Sequence, residues 1–372
     1  MKFEPETIFV EKGAENFSIT REILQRFSNR PKVLNANLEL VLNDLRRKNV
    51  DLFGAAKRQL FLSRFKGSFL KKCPGVSPGM VCCNYFVINL MSNCIYDCSY
   101  CILQDFLENN PILQAYVNVE DALLELDEIL QANPQNFYRI GTGEIADSLA
   151  LDNILTYSEI LIPFFNSKDN ALLELKTKSS CVENLLKQNP KNVVVSWSIN
   201  PPEIVDREEK FTAPFKDRIE SARQCQKKGF RIGLHFDPVI LFPGWENAYL
   251  KTVEEIFQTL GSSPIEWISI GGFRYRPNLK RVVKERHPKT ILFHGEQTSG
   301  EDGKFRYLRT LRSRAFETLK GFIRNHSRNV GVYLCMEPKE VWRDSTGSLP
   351  RDDVKLAPIF SIRDSHREQR KT

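Results

Sequence analysis

The stretch "YFVINLMSNCIYDCSYCILQ", residues 85–104, decides the fold, because an apolar run leads directly into three cysteines. The run, residues 85–90, is typical of a buried strand, and Cys94, Cys98 and Cys101 follow it in a loop. Five more runs of this kind occur further along the chain: "FYRIG" (137–141), "LLELKT" (172–177), "VVVSWSI" (193–199), "RIGLHFD" (231–237) and "EWISIGG" (266–272).

Amphipathic stretches such as "VEDALLELDEIL" and "FKDRIESARQCQKKG" separate these runs. Strands that alternate with helices predict an α/β fold with a parallel sheet, and six units predict a partial (β/α)6 barrel. We expect ligands at the carboxyl ends of its strands. The predicted units are an N-terminal α/β extension (1–84), the barrel (85–272), a basic C-terminal module (273–342) and a flexible tail (343–372).

The composition limits the class of protein. With 372 residues and 41% hydrophobic content, the chain can bury a large core. No apolar run approaches the length of a membrane span, and the acidic start "MKFEPETIFVEKGAENF" does not resemble a secretory signal. We therefore expect a cytoplasmic protein without a membrane partner, in which clustered cysteines bind metal or do chemistry rather than form disulfides.

The net charge of +7 is concentrated in one segment. Residues 273–328 contain fifteen Lys or Arg against five acidic residues, which gives +10 there and leaves −3 for the remainder. A basic segment on a slightly acidic body suggests a polyanionic partner, although a run of charges is more often a solvated face.

The cysteine spacing narrows the choice of metal. Structural zinc sites use four ligands, often as two C-x2-C pairs, whereas C-x3-C-x2-C offers three thiolates without a nearby His. Three thiolates on a four-iron cluster leave one iron open to another ligand. The alternative is three incidental buried thiols.

This loop, placed just after a first strand, resembles the signature of the radical S-adenosylmethionine (radical SAM) superfamily. Later segments are similar, in order, to the spore photoproduct lyase family, and the similarity extends to Thr290. Those segments are "ADSLALD" (146–152), "TKSSCVENLL" (177–186), "WSINPPEIV" (197–205), "PFKDRIESARQCQKKGFRIGLHFDPVILFPGWENAY" (214–249) and "RPNLKRVVKERHPKT" (276–290).

The resemblance implies a [4Fe–4S] cluster and S-adenosylmethionine as cofactors. The reduced cluster would cleave S-adenosylmethionine to a 5′-deoxyadenosyl radical, which abstracts hydrogen from a substrate, and flavodoxin or ferredoxin would supply the electron. The implied roles fall on Cys94, Cys98 and Cys101 as iron ligands, on Tyr100 beside the cluster, and on Gly143, Glu144, Lys178 and Ser198 around S-adenosylmethionine. Taken alone, the lysine, the serine and the "GTGE" turn (141–144) fit ordinary structural roles equally well.

Two positions depart from the family. The lyase has a cysteine that returns a hydrogen atom to the product radical, and this chain has Glu144 there. The lyase also has a tyrosine after the third cluster cysteine, where this chain has Ile102. A carboxylate and an aliphatic side chain cannot do this chemistry, so repair of the spore-type thymine dimer by that route is not expected.

Other residues could take part in catalysis. Cys335 is a candidate hydrogen donor, and His235 and Asp237, at the end of the fifth strand, are candidate substrate ligands or proton-transfer groups. A satisfied core histidine is the alternative for His235. Three more cysteines, Cys73, Cys82 and Cys83, have either a redox or second-metal role or simple packing.

The basic segment interleaves aromatic residues with arginines, as in proteins that contact phosphates and stack on bases. The candidate nucleic-acid contacts are Arg274, Tyr275, Arg276, Arg306, Tyr307 and Arg309. DNA is the expected partner, since the lyase acts on a DNA lesion. Three functions follow: a radical enzyme acting on nucleic acid, a radical enzyme acting on a small molecule or peptide, and a non-enzymatic iron–sulfur protein that binds nucleic acid.

Overall fold

The computed structural model describes residues 3–75, 77, 79–261 and 265–350. Its strands are β1 (Ile8–Glu11), β2 (Lys32–Ala36), β3 (Leu60–Ser63), β4 (Leu70–Lys72), β5 (Met80–Val81), β6 (Tyr85–Ile88), β7 (Met91–Ser92), β8 (Asp97–Cys98), β9 (Leu113–Tyr116), β10 (Tyr138–Gly141), β11 (Ala171–Thr177), β12 (Val193–Ser198), β13 (Glu209–Lys210), β14 (Arg231–Val239), β15 (Ile265–Gly272), β16 (Arg274–Tyr275), β17 (Gln297–Ser299), β18 (Phe305–Tyr307), β19 (Gly331–Leu334) and β20 (Glu337–Pro338). Its helices are α1 (Ser18–Arg26), α2 (Leu38–Lys48), α3 (Leu52–Ala56), α4 (Leu103–Phe106), α5 (Val119–Ala132), α6 (Asp152–Leu155), α7 (Tyr157–Asn166), α8 (Glu183–Leu186), α9 (Pro202–Glu208), α10 (Phe215–Lys228), α11 (Trp245–Leu260), α12 (Pro277–Arg286), α13 (Arg309–His326) and α14 (Lys339–Thr346).

The main sheet has eight strands in the order β19-β15-β14-β12-β11-β10-β6-β4. All pairings from β6 to β19 are parallel, and β4 is antiparallel at the edge. All six predicted strands are present in this sheet, which confirms the α/β class and the partial barrel. The sheet also continues past the predicted boundary at residue 272, because β19 pairs with β15 after the long helix α13.

Side chains inside the barrel are polar because the charged residues of "ALLELKT" fall at alternate positions of β11. Glu174 and Lys176 point inward, whereas Leu173 and Leu175 belong to the hydrophobic core. On β10, Gly141 lies against the hydroxyl group of Tyr85, where a Cβ atom would collide with it. Glycine is therefore required there to admit a tyrosine into the barrel.

The N-terminal sheet has the order β2-β1-β3-β9-β7. Strands β7 and β9 come from residues after position 84, so this sheet shares chain with the predicted barrel region. Strand β4, in turn, belongs to the barrel sheet. The N-terminal extension and the barrel are thus interleaved around the cysteine loop, which lies between β7 and β9.

The basic segment contains a three-stranded sheet in the order β16-β18-β17 and the helices α12 and α13. The predicted tail from residue 343 begins inside α14, and residues 351–372 lie outside the described residues. Within the described part of the chain, no helix combines the length and apolar character needed to cross a bilayer.

Candidate active site

A cavity of about 410 Å³ lies at the carboxyl ends of the barrel strands. Six of the nine cysteines line it: Cys73, Cys83, Cys94, Cys98, Cys101 and Cys335. The predicted residues Tyr100, Gly143, Glu144, Lys178, Ser198, His235 and Asp237 line it as well. The fold therefore brings together the predicted cluster, cofactor and catalytic residues, which lie up to 241 positions apart in the sequence.

The cluster loop, defined here as residues 93–104, is fixed on one side by Glu209. Cys98 pairs with Glu209 through the antiparallel strands β8 and β13, and the Tyr100 hydroxyl donates to the Glu209 carboxylate. Arg218 lies 2.6 Å from that carboxylate, and both side chains are fully buried. Asn200 adds a hydrogen bond of 2.9 Å. The buried ion pair between Glu209 and Arg218 therefore stabilises this side of the cluster loop.

The opposite side of the cluster loop is held by cations. Arg286 donates to Asp97 at 3.0 Å and to Asp51 at 2.9 Å. Lys57 donates to the carbonyl of Tyr96. Arg286 belongs to the predicted basic module, so part of that positive charge holds the cluster loop.

The thiols of this loop fit an iron–sulfur cluster by their chemistry. Burial raises the pKa of Cys94 to about 12, and the amide of Tyr96 donates to its sulfur at 3.5 Å. Burial likewise raises the pKa of Cys98, against which Lys178 acts. Among the described residues, no three His, Cys, Asp or Glu side chains converge on a single ion. A four-iron cluster makes a different demand, because each thiolate binds its own iron.

The loop after β10 packs closely on β11. A Cβ atom at Gly143 would lie 2.9 Å from the carbonyl oxygen of Lys176 and the hydroxyl of Ser148, so this position needs glycine. Glu144 forms an ion pair with Lys176. Asp147 accepts from the Lys178 amide at 2.7 Å, which ties the turn to the end of β11.

Lys178 and Ser198 lie where the two strand ends meet the cluster loop. The Lys178 ammonium is 5.6 Å from the centre of the Tyr100 ring. Ser198 is buried at the end of β12, and its carbonyl accepts from Arg218 at 2.9 Å. Both side chains line the cavity on the side of the cluster thiols.

The far wall of the cavity, defined as Cys73, Cys83, Asp237, Arg274 and Cys335, carries the other thiols. Arg274 donates to Asp237 at 2.9 and 3.1 Å and lies 3.8 Å from the Cys335 sulfur. The Cys335 thiol donates to Asp237. Burial alone would raise the pKa of Asp237, but Arg274 holds it below its usual value. Burial and Asp237 both raise the pKa of Cys335, so this thiol keeps its proton.

His235 does not have a free ring nitrogen. Its Nδ1 lies 2.6 Å from the Ser269 hydroxyl and its Nε2 lies 2.7 Å from Glu174, which also pairs with Arg139 at 2.7 Å. Burial lowers the pKa of His235, although Glu174 opposes this. These hydrogen bonds favour the alternative of a satisfied core histidine, and the role of His235 as a substrate ligand or proton-transfer group stays a prediction.

Three of the predicted nucleic-acid contacts are buried. Tyr275 and Tyr307 are 1% and 5% exposed in a hydrophobic cluster, and the Tyr307 hydroxyl accepts from the Leu241 amide at 3.1 Å. Arg306 is buried against Asp302 at 2.6 and 2.7 Å. Stacking by these tyrosines and phosphate contact by Arg306 do not fit their burial, because their polar groups are used inside the protein.

The other three predicted contacts are more accessible. Arg276 is exposed at the cavity mouth, 3.5 Å from Asp105. Arg309 is exposed beside Asp344. Arg274 belongs to the far wall and pairs with Asp237.

Several site residues were missed from the sequence. Lys176 was detectable, because a lysine and a glutamate at alternate positions of an apolar strand indicate a polar barrel interior. Asp147 and Arg286 gave no local signal, since Lys178 and Asp97 lie 31 and 189 positions away from them. Glu209 and Arg218 are nine positions apart, but nothing in the sequence showed that both are buried beside the cluster loop.

A curled parallel sheet with a three-cysteine loop at its carboxyl-terminal mouth is the architecture of a radical SAM enzyme. The profile of one family, described as spore photoproduct lyase, matches residues 3–327. The chain therefore belongs to the spore photoproduct lyase family, whose members are radical SAM enzymes that use a [4Fe–4S] cluster and S-adenosylmethionine. This confirms the predicted family and cofactors and removes the non-enzymatic alternative.

Curated relatives are named spore photoproduct lyase. The protein of Bacillus subtilis (strain 168) is 25% identical over 297 residues, which cover 78% of this chain and 84% of the relative. The protein of Clostridium acetobutylicum is 22% identical and covers 81% and 88%. A solved spore photoproduct lyase mutant with bound AdoMet and dinucleoside spore photoproduct shares the fold, with TM-score 0.78, 21% identity and coverage of 90% and 99%.

Proposed function

We propose that this chain binds a [4Fe–4S] cluster through Cys94, Cys98 and Cys101, binds S-adenosylmethionine beside it, and acts on a nucleic acid. The observation that carries the proposal is the single cavity that these thiols share with Lys178 and Ser198. When bound, these cofactors would supply a 5′-deoxyadenosyl radical able to abstract hydrogen.

The chain's own residues bind and orient the cofactor. Lys178, whose ammonium lies 5.6 Å from the centre of the Tyr100 ring, would meet the carboxylate of S-adenosylmethionine. Gly143 lets the turn after β10 approach β11 and leaves backbone groups near the cavity. Glu144 already forms an ion pair with Lys176. Its carboxylate would therefore be shared between Lys176 and the ammonium group of the bound cofactor.

Anaerobic reconstitution tests the assignment. We expect about four irons per chain and a reducible centre whose paramagnetic resonance spectrum changes when S-adenosylmethionine is added. Cys98→Ala should abolish both, whereas Cys225→Ala, in the core of α10, should leave both intact. Zinc retained in place of iron would contradict the proposal.

Nucleic acid is the proposed substrate for two reasons. The solved relative has a bound dinucleoside spore photoproduct. The basic segment carries +10, and Arg276 and Arg309 remain exposed. Steep weakening of DNA binding with added salt would support this substrate class.

A small molecule or peptide is the second candidate. A cavity of about 410 Å³ lies in the range of small-ligand pockets, and the buried tyrosines reduce the predicted stacking surface. Absence of salt-dependent DNA binding would favour this candidate.

We also propose Cys335 as the hydrogen donor, because its thiol lines the cavity and keeps its proton beside Asp237. The resemblance implies that Glu144 and Ile102 replace the lyase's returning cysteine and its tyrosine. The substrate carbon radical takes hydrogen from the Cys335 S–H bond, so a C–H bond forms and a thiyl radical remains. An electron from a flavodoxin- or ferredoxin-type donor and a proton from water then restore the thiol. Repair of the spore-type dimer through the lyase's own cysteine and tyrosine is not expected, so any product formed from that dimer would take its hydrogen from Cys335.

Solvent isotope tests this assignment. In D2O the thiol carries deuterium, so the product formed from dinucleoside spore photoproduct should gain deuterium in the wild type. Cys335→Ala should lose this label while still producing 5′-deoxyadenosine, and Cys225→Ala should keep it. Undiminished label in Cys335→Ala would show that another group is the donor.

A further inference from the structure

The mouth of the cavity has an exposed aromatic ring that sequence analysis did not single out. Phe106 is 55% exposed, whereas the other aromatic residues that line the cavity are buried: Tyr85, Tyr96, Tyr100, Phe273 and Tyr333. Ile102, 38% exposed, lies on the same cluster loop. An exposed aromatic ring at the edge of a cavity offers a ligand a flat face on which to stack.

The position of this ring is fixed by contacts on the buried side of α4. Asp105, next to Phe106, is buried and accepts from the Asn278 amide at 2.8 Å. Arg276 lies 3.5 Å from the same carboxylate. Helix α4 is therefore tied to the start of α12, and the guanidinium of Arg276 is kept at the mouth beside Phe106.

The ring and the guanidinium offer two different contacts. A phenylalanine face can stack on any nucleobase, since every base has a π face, and Arg276 can meet a phosphate. Phe106 lines the same cavity as Cys94, Cys98 and Cys101, so a base stacked on it would lie at the mouth of the cavity that contains the cluster thiols. The surrounding segment, 273–328, carries +10, which complements a polyanion.

We propose that Phe106 is the platform on which a nucleobase of single-stranded or flipped-out nucleic acid stacks at the cavity mouth, with Arg276 on an adjacent phosphate. This inference rests on the proposed nucleic-acid substrate. It moves the stacking role from Tyr275 and Tyr307, which are buried, to a ring that is accessible.

The experiment measures binding of a fluorescent oligothymidylate to the anaerobically reconstituted protein over a range of salt concentrations. Phe106→Ala should weaken binding by about 5- to 100-fold, the loss of one stacked base, without changing the salt slope. Phe106→Tyr should bind like the wild type. Arg276→Gln should instead reduce the salt slope by about one unit.

Phe137→Ala is the matched control. Phe137 is 43% exposed and directly precedes β10, so it lies at the opposite, amino-terminal end of the barrel. Its replacement should not affect binding. Phe106→Leu keeps a large apolar side chain at the cavity mouth but removes the flat ring. It should weaken oligonucleotide binding as much as Phe106→Ala does, and the iron content should not change.

The outcomes separate this inference from the function on which it rests. Salt-dependent binding that Phe106→Ala and Phe106→Leu leave unchanged would overturn the stacking role and keep the nucleic-acid substrate. Failure of the wild type to bind any oligonucleotide would overturn both. A loss confined to the rate at which flavodoxin reduces the cluster would assign Phe106 to electron-donor docking and overturn the stacking role.

Discussion

The cluster loop and the far wall line one cavity, and Cys98 and Cys335 differ in which neighbouring charge acts most strongly on the sulfur. Burial raises the pKa of Cys98, and Lys178 opposes this rise. Burial also raises the pKa of Cys335, but there Asp237 adds to the rise and accepts the thiol proton. A neighbouring cation favours a thiolate that can bind iron, whereas a neighbouring carboxylate favours an intact S–H bond.

The difference shows how one residue type can have two uses in one site. The cluster loop is supported from below by a buried carboxylate, Glu209, that is already neutralised by Arg218. On the far wall the Asp237 carboxylate is likewise paired with an arginine, Arg274, but it also accepts a hydrogen bond from the Cys335 thiol. Removing one carboxylate at a time therefore separates the two uses.

The largest expected effect follows Glu209→Gln, which leaves Arg218 charged and fully buried. Loss of one partner of a buried pair should lower the free energy of unfolding by about 3–5 kcal/mol, measured by anaerobic urea denaturation. The loop should also retain less iron. The matched control is Glu220→Gln, whose carboxylate also lies 2.6 Å from an arginine but in an exposed pair, and it should change neither.

The lowered pKa of Glu209 predicts that the free energy of unfolding depends on pH. Burial alone would raise the pKa of Glu209, but Arg218 and Lys178 hold it below its ordinary value. Its contribution to stability is therefore present above the unfolded pKa of 4.5 and lost as pH falls below it. Unfolding of Glu209→Gln should show a weaker loss of stability in this acid range. Equal acid sensitivity in both proteins would contradict the assignment.

A smaller effect is expected on the far wall from Asp237→Asn. The Arg274 side chain is 16% exposed, so water can partly replace the lost hydrogen bonds to Asp237. The free energy of unfolding should therefore fall by only about 1–3 kcal/mol. The pKa of Cys335 should fall as well, because the carboxylate that disfavours its thiolate is gone. Mass spectrometry should detect faster alkylation of Cys335 at pH 9, with Cys225 as the unchanged reference. Unchanged alkylation of Cys335 would break the contrast between the two walls.

The sequence predicted the barrel and the cluster loop because both have short-range signals. Strands of four to nine residues alternate with helices, and the cysteine spacing is local. The seventh parallel strand, β19, was not predicted because it has only four residues and follows the basic segment 273–328, which the charge distribution had indicated as a separate module. The contact of Glu209 with the cluster loop was not predicted either, since Glu209 and Cys98 are 111 positions apart.

The prediction for the basic segment failed at particular residues because composition does not report burial. Arg306 and Asp302 are only four positions apart, yet their pairing became visible only when the hairpin was folded. Phe106, in contrast, was not singled out in the sequence, although it is exposed at the cavity mouth.

The smallest expected effect concerns the hydrophobic cluster in which Tyr307 packs with Tyr96 and Tyr100 of the cluster loop, and it tests whether Tyr307 is structural. Tyr307→Phe removes the acceptor of the part-buried Leu241 amide, so the free energy of unfolding should fall by about 1 kcal/mol in urea denaturation. Oligonucleotide affinity should not change, because the ring stays buried and the hydroxyl faces the protein. The reverse result, weaker oligonucleotide binding with unchanged stability, would mean that Tyr307 contacts the nucleic acid and that the stacking surface includes Tyr307 as well as Phe106.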